Sequence, residues 1–456
     1  MASSRNSPQV REPTPHDAVA VVSTALAAAL AGHVRPGASL AVALSGGLDS
    51  IVLLDAAAAL AERHPIILSA IHVHHGLSPN ADRWADFCSA QCTTRNVALS
   101  LHRLHLARAP GASLEAQARD ARYECLLSAA VDVVALAHHA DDQAETVLLQ
   151  LLRGAGPQGL SAIPAFRPGH PALLRPLLDI PRTTLAEYAS ARALTWVEDE
   201  SNTDRRHARN FIRGDVAPLL AARFPGYPGT LVRAARHQAE AALLANELAL
   251  IDAAGAIDKA GLARARLTAL PPARARNLLR WFLHEKGLRH PSEARLTEMM
   301  RQLSSAGEDA RIRIAHDGAE IGSHRGRVAV HAPEPPEFER IWRGESEVSL
   351  PGGVLAFERA RGAGLAAVKL ERSQVTLRSR HGGERIRLAA NRPTHAVKKL
   401  LQEARMPPWE RENLPLIWSG DELVAVPGIG VALAFQAGPE EAGWRVEWRP
   451  SPTISS

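Results

Sequence analysis

Cysteine is scarce in this chain: Cys88, Cys92 and Cys125 are the three thiols among 456 residues. Three cannot build a disulfide framework, and a reducing setting is the expected one. Cys88 and Cys92 stand one helical turn apart, a spacing open to a metal. No fourth ligand is spaced to match, so core packing is the plainer reading. Lysine is nearly as scarce, with five, at 259, 286, 369, 398 and 399. The common nucleotide loop needs a lysine to reach the outer phosphates. None precedes Lys259, which excludes that loop from the N-terminal half. Also missing is an uninterrupted apolar run of the roughly 18 residues that a membrane span requires. The segment 18–31 is apolar enough to raise a secretory leader. Glu12 and Asp17 occupy the region that a leader makes basic, and a strand follows directly. The expectation is an amphipathic first helix in a cytoplasmic protein.

What is present is a sizeable apolar fraction, 46% of residues, enough for a large core and against wholesale disorder. The length suits about three domains. Net charge is +5, compatible with an anionic partner but also with an ordinary surface. The charge is uneven. Residues 201–237 hold seven arginines against two aspartates, and residues 376–415 hold nine arginines and lysines against four glutamates. Two such basic segments fit salt-dependent contact with RNA phosphates; a solvated basic face is the alternative.

Residues 1–15 are polar and proline-containing and predict a disordered tail. From Ser39 the pattern alternates: strand 39–44, helix 51–63, strand 66–74, helix 82–96, strand 99–106, helix 114–130, strand 131–137, helix 141–153. This predicts an α/β domain over 16–220, a parallel sheet with helices on both faces, whose ligands bind beyond the C-terminal strand ends. A mainly helical domain with a linker is expected over 221–335, and a small α+β domain over 370–450.

The sharpest motif is Ser45-Gly46-Gly47-Leu48-Asp49-Ser50, set between the first strand and its helix. Glycines let backbone amides turn inward, and a helix N-terminus favours phosphate. Asp49 is placed to hold Mg2+ together with phosphate oxygens. A plain glycine turn would not need this order of six residues. The loop resembles the signature of the PP-loop ATPases, which implies ATP binding and transfer of AMP to a substrate oxygen.

Two further motifs sit on the same rim. His72-Val73-His74-His75 closes the second strand, open to metal ligation, phosphate contact or simple packing. His138-His139-Ala140-Asp141-Asp142-Gln143-Ala144-Glu145 ends the 131–137 strand. Asp142 and Glu145 share a face of the following helix, where capping alone accounts for one carboxylate but not for the cluster. A cationic amino acid would need such partners. Arg119 and Arg122, three apart, are suited to phosphate or to solvent.

Together these stretches, with Trp196–Arg213, Gly382–Arg387 and Met406–Arg411, resemble the tRNA(Ile)-lysidine synthetases over most of the chain. The resemblance implies a ligase. ATP adenylates the C2 oxygen of the first anticodon cytidine of tRNA(Ile) with a CAU anticodon, and L-lysine then displaces AMP. It implies ATP at Ser45, Gly46, Gly47, Leu48, Asp49 and Ser50, and lysine at His138, Asp142, Glu145 and Arg209, the last on its carboxylate. Asp49, Arg119, Arg122 and Asp142 are the implied catalytic residues. RNA contacts are implied for Arg205, Arg206, Arg213, Arg385, Arg387, Lys398, Lys399 and Arg411, and a homodimer is possible within the family. The alternative is another PP-loop tRNA-modifying enzyme, such as a thiolase, whose chemistry would call for cysteines at the rim.

Overall fold

The computed structural model describes residues 15–76, 78–104, 114–198, 206–305 and 312–451. All but the last residue of the expected disordered tail, and the expected RNA contact Arg205, lie outside them. The chain divides into two compact units, Met1–Leu243 and Leu244–Ser456.

The first unit opens with α1 (Pro15–His33) and then alternates: β1 (Ser39–Ala43), α2 (Leu48–Ala61), β2 (Ile67–His74), α3 (Ala81–Thr94), β3 (Ala98–Arg103), α4 (Leu114–Leu127), β4 (Val133–Ala135) and α5 (Ala140–Leu152). A short helix, α6 (Pro157–Leu160), precedes β5 (Phe166–Arg167), β6 (Ala172–Leu174) and α7 (Arg182–Ala191). The expected alternation holds, and the strand order is β3-β2-β1-β4-β6-β5. All neighbours pair in parallel except β5, which runs antiparallel to β6. Strand period two sorts the side chains to opposite faces. Leu40 and Val42 of β1 enter a core with Leu26, Leu53, Leu54, Leu185 and Tyr188. Ala41, between them, joins a second core with Val73, Leu126, Val134 and Leu173. Both faces are therefore covered, which explains the near-continuous apolar runs of β1 and β4.

Winding goes outward from β1 through β2 to β3, then returns to the other side of β1 for β4. A crevice opens where the order reverses, beyond the ends of β1 and β4. The loop 44–48 and the sequence 136–145 both lie there.

Below that crevice Asp55, only 6% exposed, ties three helices. It accepts from Tyr188 Oη at 3.0 Å, Arg192 Nε at 3.0 Å and Arg95 Nε at 3.0 Å. Removing one partner of a buried ion pair strands the others without compensation. Asp55→Ala is expected to lower stability by about 3 kcal/mol in urea unfolding. Asp55→Asn, which keeps the shape and part of the bonding, should lose less.

The second unit completes the long helix Tyr227–Ala253 and adds helices Pro272–Glu285 and Glu293–Ser305. The region expected to be mainly helical also carries a five-stranded antiparallel sheet, built from strands between Ile257 and His331. Leu278, Phe282, Leu296 and Met299 of the helices pack on Ile314, Ile321 and Val328 of that sheet. Its strands Ile312–His316, Ala319–His324 and Arg327–His331 lie where the sequence from 310 onward reads as short strands broken by glycine, whereas Ile257–Asp258 and Gly261–Ala263 are too short to show a periodicity. Three further antiparallel sheets, of five, four and two strands, lie within residues 339–450, with Trp342 stacked on Phe357 at 4.4 Å. Trp409 stacks on His331 at 4.5 Å over Gly322, where a side chain would collide with the indole.

Candidate nucleotide and amine site

The signature loop is held by its own last residue. Ser50 Oγ accepts from the amides of Ser45 at 3.2 Å and Gly46 at 3.1 Å, and donates to Gly47 O at 2.9 Å. The turn is thus closed, and the first-turn amides of α2, which have no acceptor within the helix, head its open end. Leu48 itself is buried in the core, so any nucleotide contact from it falls to its backbone. Gly46 has φ +89°, and a Cβ there would come within 2.9 Å of Val197 Cγ2 and 3.1 Å of Cys88 Sγ. Val197 N also donates to Gly46 O at 3.0 Å, fastening the loop from outside. Gly46→Ala must both enter the left-handed region and displace Val197. The expected outcome is a tenfold or greater loss of ATP affinity, by about 1–2 kcal/mol of backbone strain, with the circular dichroism spectrum unchanged. Equilibrium binding of a fluorescent ATP analogue checks it.

Asp49 is half-buried in the first turn of α2. Its Oδ1 is enclosed and accepts no hydrogen bond, while Oδ2 lies 3.6 Å from His139 Nε2. Arg182 Nε stands 3.8 Å from Oδ1. A buried carboxylate oxygen without a donor suits a hard cation. Among the described residues no group of three or more His, Cys, Asp and Glu could hold a metal alone. A magnesium ion fits here only if phosphate oxygens supply the rest of its shell.

At the end of β4, His139 precedes α5: its own amide donates to Asp142 Oδ2 at 3.1 Å, and its ring is held among carboxylates, with Nδ1 3.6 Å from Asp141 Oδ2 and Nε2 3.4 Å from Asp142 Oδ2. Burial by itself would lower the His139 pKa, but Asp141, Asp49 and Asp142 outweigh it and carry the ring up to about 9. It is an imidazolium at neutral pH. The adjacent His138 behaves oppositely. Burial, helped by Arg175, Arg209 and Arg122, lowers it to about 4 against the pull of Asp142. It is neutral, and its Nδ1 is buried with no partner.

Asp142 and Glu145 do share a face of α5, and both are buried. The helical turn Ala208–Phe211 and the π-helical turn Ile212–Val216 bring two arginines onto them. Arg209 donates to Glu145 Oε2 at 2.7 Å and to Asp142 Oδ1 at 2.8 Å. Arg213 donates to Glu145 Oε1 at 2.6 Å and to Asp142 Oδ1 at 3.1 Å. Arg209, assigned from sequence to a substrate carboxylate, and Arg213, assigned to RNA, are here in one four-membered ionic cluster with 30% and 40% side-chain exposure. Asp142 is held below the ordinary carboxylate range: burial opposes this, and His139 and Arg209 outweigh it. A π-turn inside a helix is a frequent mark of a functional position, because it re-aims a side chain at the cost of regular bonding.

Arg122 is on α4, its guanidinium 5.9 Å from the Tyr123 ring, and Arg119, more exposed, is 5.5 Å from the same ring. The His72 cluster is largely used internally. His72 Nδ1 bonds Leu44 O at 2.8 Å, bracing the end of β1, and His74 lies 3.3 Å from Asp82. Cys88 and Cys92 are in the core, where burial pushes their thiols up to about 12 and about 11. They are inert thiols, as packing predicted. In the second unit Arg385 donates to Thr394 O at 3.0 Å, Arg387 to Arg392 O at 3.1 Å and Arg411 to Met406 O at 2.6 Å. These arginines shape the loop 389–394 and the turn after Met406. Lys398 and Lys399 are exposed on the helix Val397–Glu403, and Arg392 is an exposed cation that the sequence reading passed over.

Sequence reasoning also missed Arg175, one residue past β6 and 6% exposed, and Arg182 beside Asp49. The available signal was a charged residue ending the apolar triplet Ala172-Leu173-Leu174, since a cation at the C-terminal end of a buried strand faces the ligand rim.

Comparison with known families agrees with this arrangement. A PP-loop domain model matches residues 21–220, a TilS substrate binding domain matches 262–329, and a TilS substrate C-terminal domain matches 375–448. The tRNA(Ile)-lysidine synthase of Nitrosomonas europaea is 44% identical over 432 residues, covering 92% of this chain and 94% of that protein. Those of Azoarcus sp. and Burkholderia pseudomallei are 41% and 40% identical, covering 92% and 97% of this chain and 94% and 99% of their own. With its signature loop, its ionic rim and the order of its domains all accounted for, this chain belongs to the tRNA(Ile)-lysidine synthase family.

Proposed function

We propose that the protein is a ligase that joins L-lysine to C2 of the first anticodon cytidine of a tRNA(Ile) bearing CAU. The observation that carries this is the meeting of the signature loop and the Asp142–Glu145 pair at one crevice. An adenylating loop and an anionic seat for a cationic amino acid lie side by side, as a two-step reaction needs. Ser45, Gly46, Gly47 and Ser50 form the seat for the triphosphate, and Asp49 is the residue that would share Mg2+ with it. When bound, that ion neutralises phosphate charge. In the first step the cytidine C2 oxygen takes AMP and pyrophosphate leaves. In the second the lysine ε-amine, having given up a proton, attacks C2, and AMP departs with the oxygen. His138, neutral and with an unpartnered Nδ1, is available to accept a hydrogen bond from an ammonium group. The first-step charge falls to Arg119 and Arg122.

Contact with RNA is assigned to Arg206, Lys398, Lys399 and the loop that Arg385 and Arg387 organise, with Arg205 preceding the described segment. No helix among the described residues is long and apolar enough to cross a membrane. A cytoplasmic location and a homodimer accompany the proposal. A thiolase reading loses support from the buried, unreactive Cys88 and Cys92.

The decisive test is incubation with ATP, Mg2+, labelled lysine and tRNA(Ile)(CAU). Label should enter the tRNA at the first anticodon cytidine by mass spectrometry. A thio-base in its place, or ATP turnover indifferent to tRNA, would end the reading.

A further inference from the structure

Among the described residues the charges around the crevice do not cancel. Asp142 and Glu145 are matched by Arg209 and Arg213, and Asp49 and Asp141 by His139 and Arg182. Two guanidiniums remain over. Arg175 is 6% exposed, and its one hydrogen bond to a backbone acceptor is from Nη1 to Pro164 O at 2.8 Å. Its Nε is enclosed with no partner, and so is the Nε of Arg122. Among the described residues no carboxylate pairs with either. The Tyr123 side chain lies between the two, its ring 5.9 Å from Arg122 and its hydroxyl beside Arg175.

Burying a guanidinium without an anion is costly, and a protein that keeps two of them at a ligand rim keeps them for an oxyanion. The planar fork of arginine matches a carboxylate or a phosphate in two-point contact. Both arginines, with Arg209 and Asp142, surround the ring of His138 closely enough to act on its charge. The pocket is therefore next to the proposed amine seat. Its direction from that seat matters. Arg175 follows β6, whereas the signature loop follows β1, and β4 with His138 and α5 comes between them. Two strand spacings put about 10 Å between those ends. An oxyanion at Arg175 is on the far side of Asp142 and Glu145 from the nucleotide.

We propose that Arg175, with Arg122, binds the α-carboxylate of the amino-acid substrate. This rests on the lysine-ligating function proposed above and moves the carboxylate away from Arg209, whose donors Asp142 and Glu145 already occupy. With its head group at Arg175, an amino acid of lysine's length directs its side chain past Asp142 and Glu145 toward the adenylated base. The pocket then selects an amino acid over a plain diamine.

The test compares lysine with cadaverine, which keeps both terminal amines and lacks the carboxylate. Wild-type protein with ATP, Mg2+ and tRNA should use lysine far more efficiently than cadaverine. In Arg175→Gln the KM for lysine should rise about 100-fold, the cost of removing one partner of a desolvated charge pair. The KM for cadaverine should not rise, so the preference collapses, while the KM for ATP and the Kd for tRNA stay in place. Arg175→Lys, which keeps charge but not the fork, should be intermediate and serves as the folded control. A lysine preference undiminished in both variants overturns the assignment. A weakened tRNA Kd with an unchanged lysine KM also overturns it, in favour of an RNA phosphate in the pocket. Failure of the wild-type protein to ligate lysine at all would instead strike the function itself.

Discussion

Asp49→Ala should lose adenylation by about 1,000-fold, the scale on which removal of a preorganised electrostatic group acts, and should still bind tRNA. The carboxylate is in the first turn of α2, directly behind the glycine turn, with one oxygen enclosed and unbonded. That oxygen has a function only when a cation or donor arrives with the nucleotide. Deleting it leaves β1, α2 and the loop intact, because Ser50 rather than Asp49 closes the turn. Filter binding of labelled tRNA and release of pyrophosphate in the presence of tRNA separate the two quantities. Parallel loss of both would show that Asp49 supports the fold or the RNA surface instead. Asp49→Asn, which keeps the shape without the charge, should resemble alanine in adenylation.

Asp142→Ala should raise the lysine requirement by about 100-fold, as expected when one partner of a buried charge pair is cut away, with far less change in the ATP requirement. Asp142 is the carboxylate that Arg209, Arg213 and His139 all address, and its neighbours keep it ionised. Its removal leaves two guanidiniums on Glu145 alone and turns a charge-balanced cluster into a cationic one, which repels an ammonium group. Because His139 N also loses its capping acceptor, Asp142→Asn is the sharper variant: it can keep cap geometry while losing charge. Substrate titrations at saturating tRNA read the effect. A lysine dependence equal to wild type in both variants would take Asp142 out of the amine site.

Much of the first unit was visible in the pattern. Strands β1 to β4 and their helices come within a few residues of expectation, because each buried strand is a short apolar run and each helix an Ala/Leu-rich stretch between breakers. The rim followed from that alternation: loops at the C-terminal ends of parallel strands face one crevice. The pattern failed where elements are two or three residues long. β5 and β6 carry no periodicity, so Arg175 was hidden, and the short strands Ile257–Asp258 and Gly261–Ala263 were read as part of a helical stretch. It failed again for side chains that meet across long separations. Asp55 with Arg95, Tyr188 and Arg192, and Glu145 with Arg209 and Arg213, join residues 40 to 137 positions apart. No local rule connects them.

Two things were settled by the order of residues alone: an alternating α/β domain, and a phosphate-type turn that works without lysine. Both follow from local causes, glycine's conformational range and the burial of apolar runs. Packing in three dimensions decided the partners. It set His138 neutral beside a protonated His139, placed Arg209 and Arg213 on the amine carboxylates, and left Arg122 and Arg175 without a carboxylate partner among the described residues. Those outcomes depend on distance through space and on exclusion of water, and neither quantity can be read along a chain.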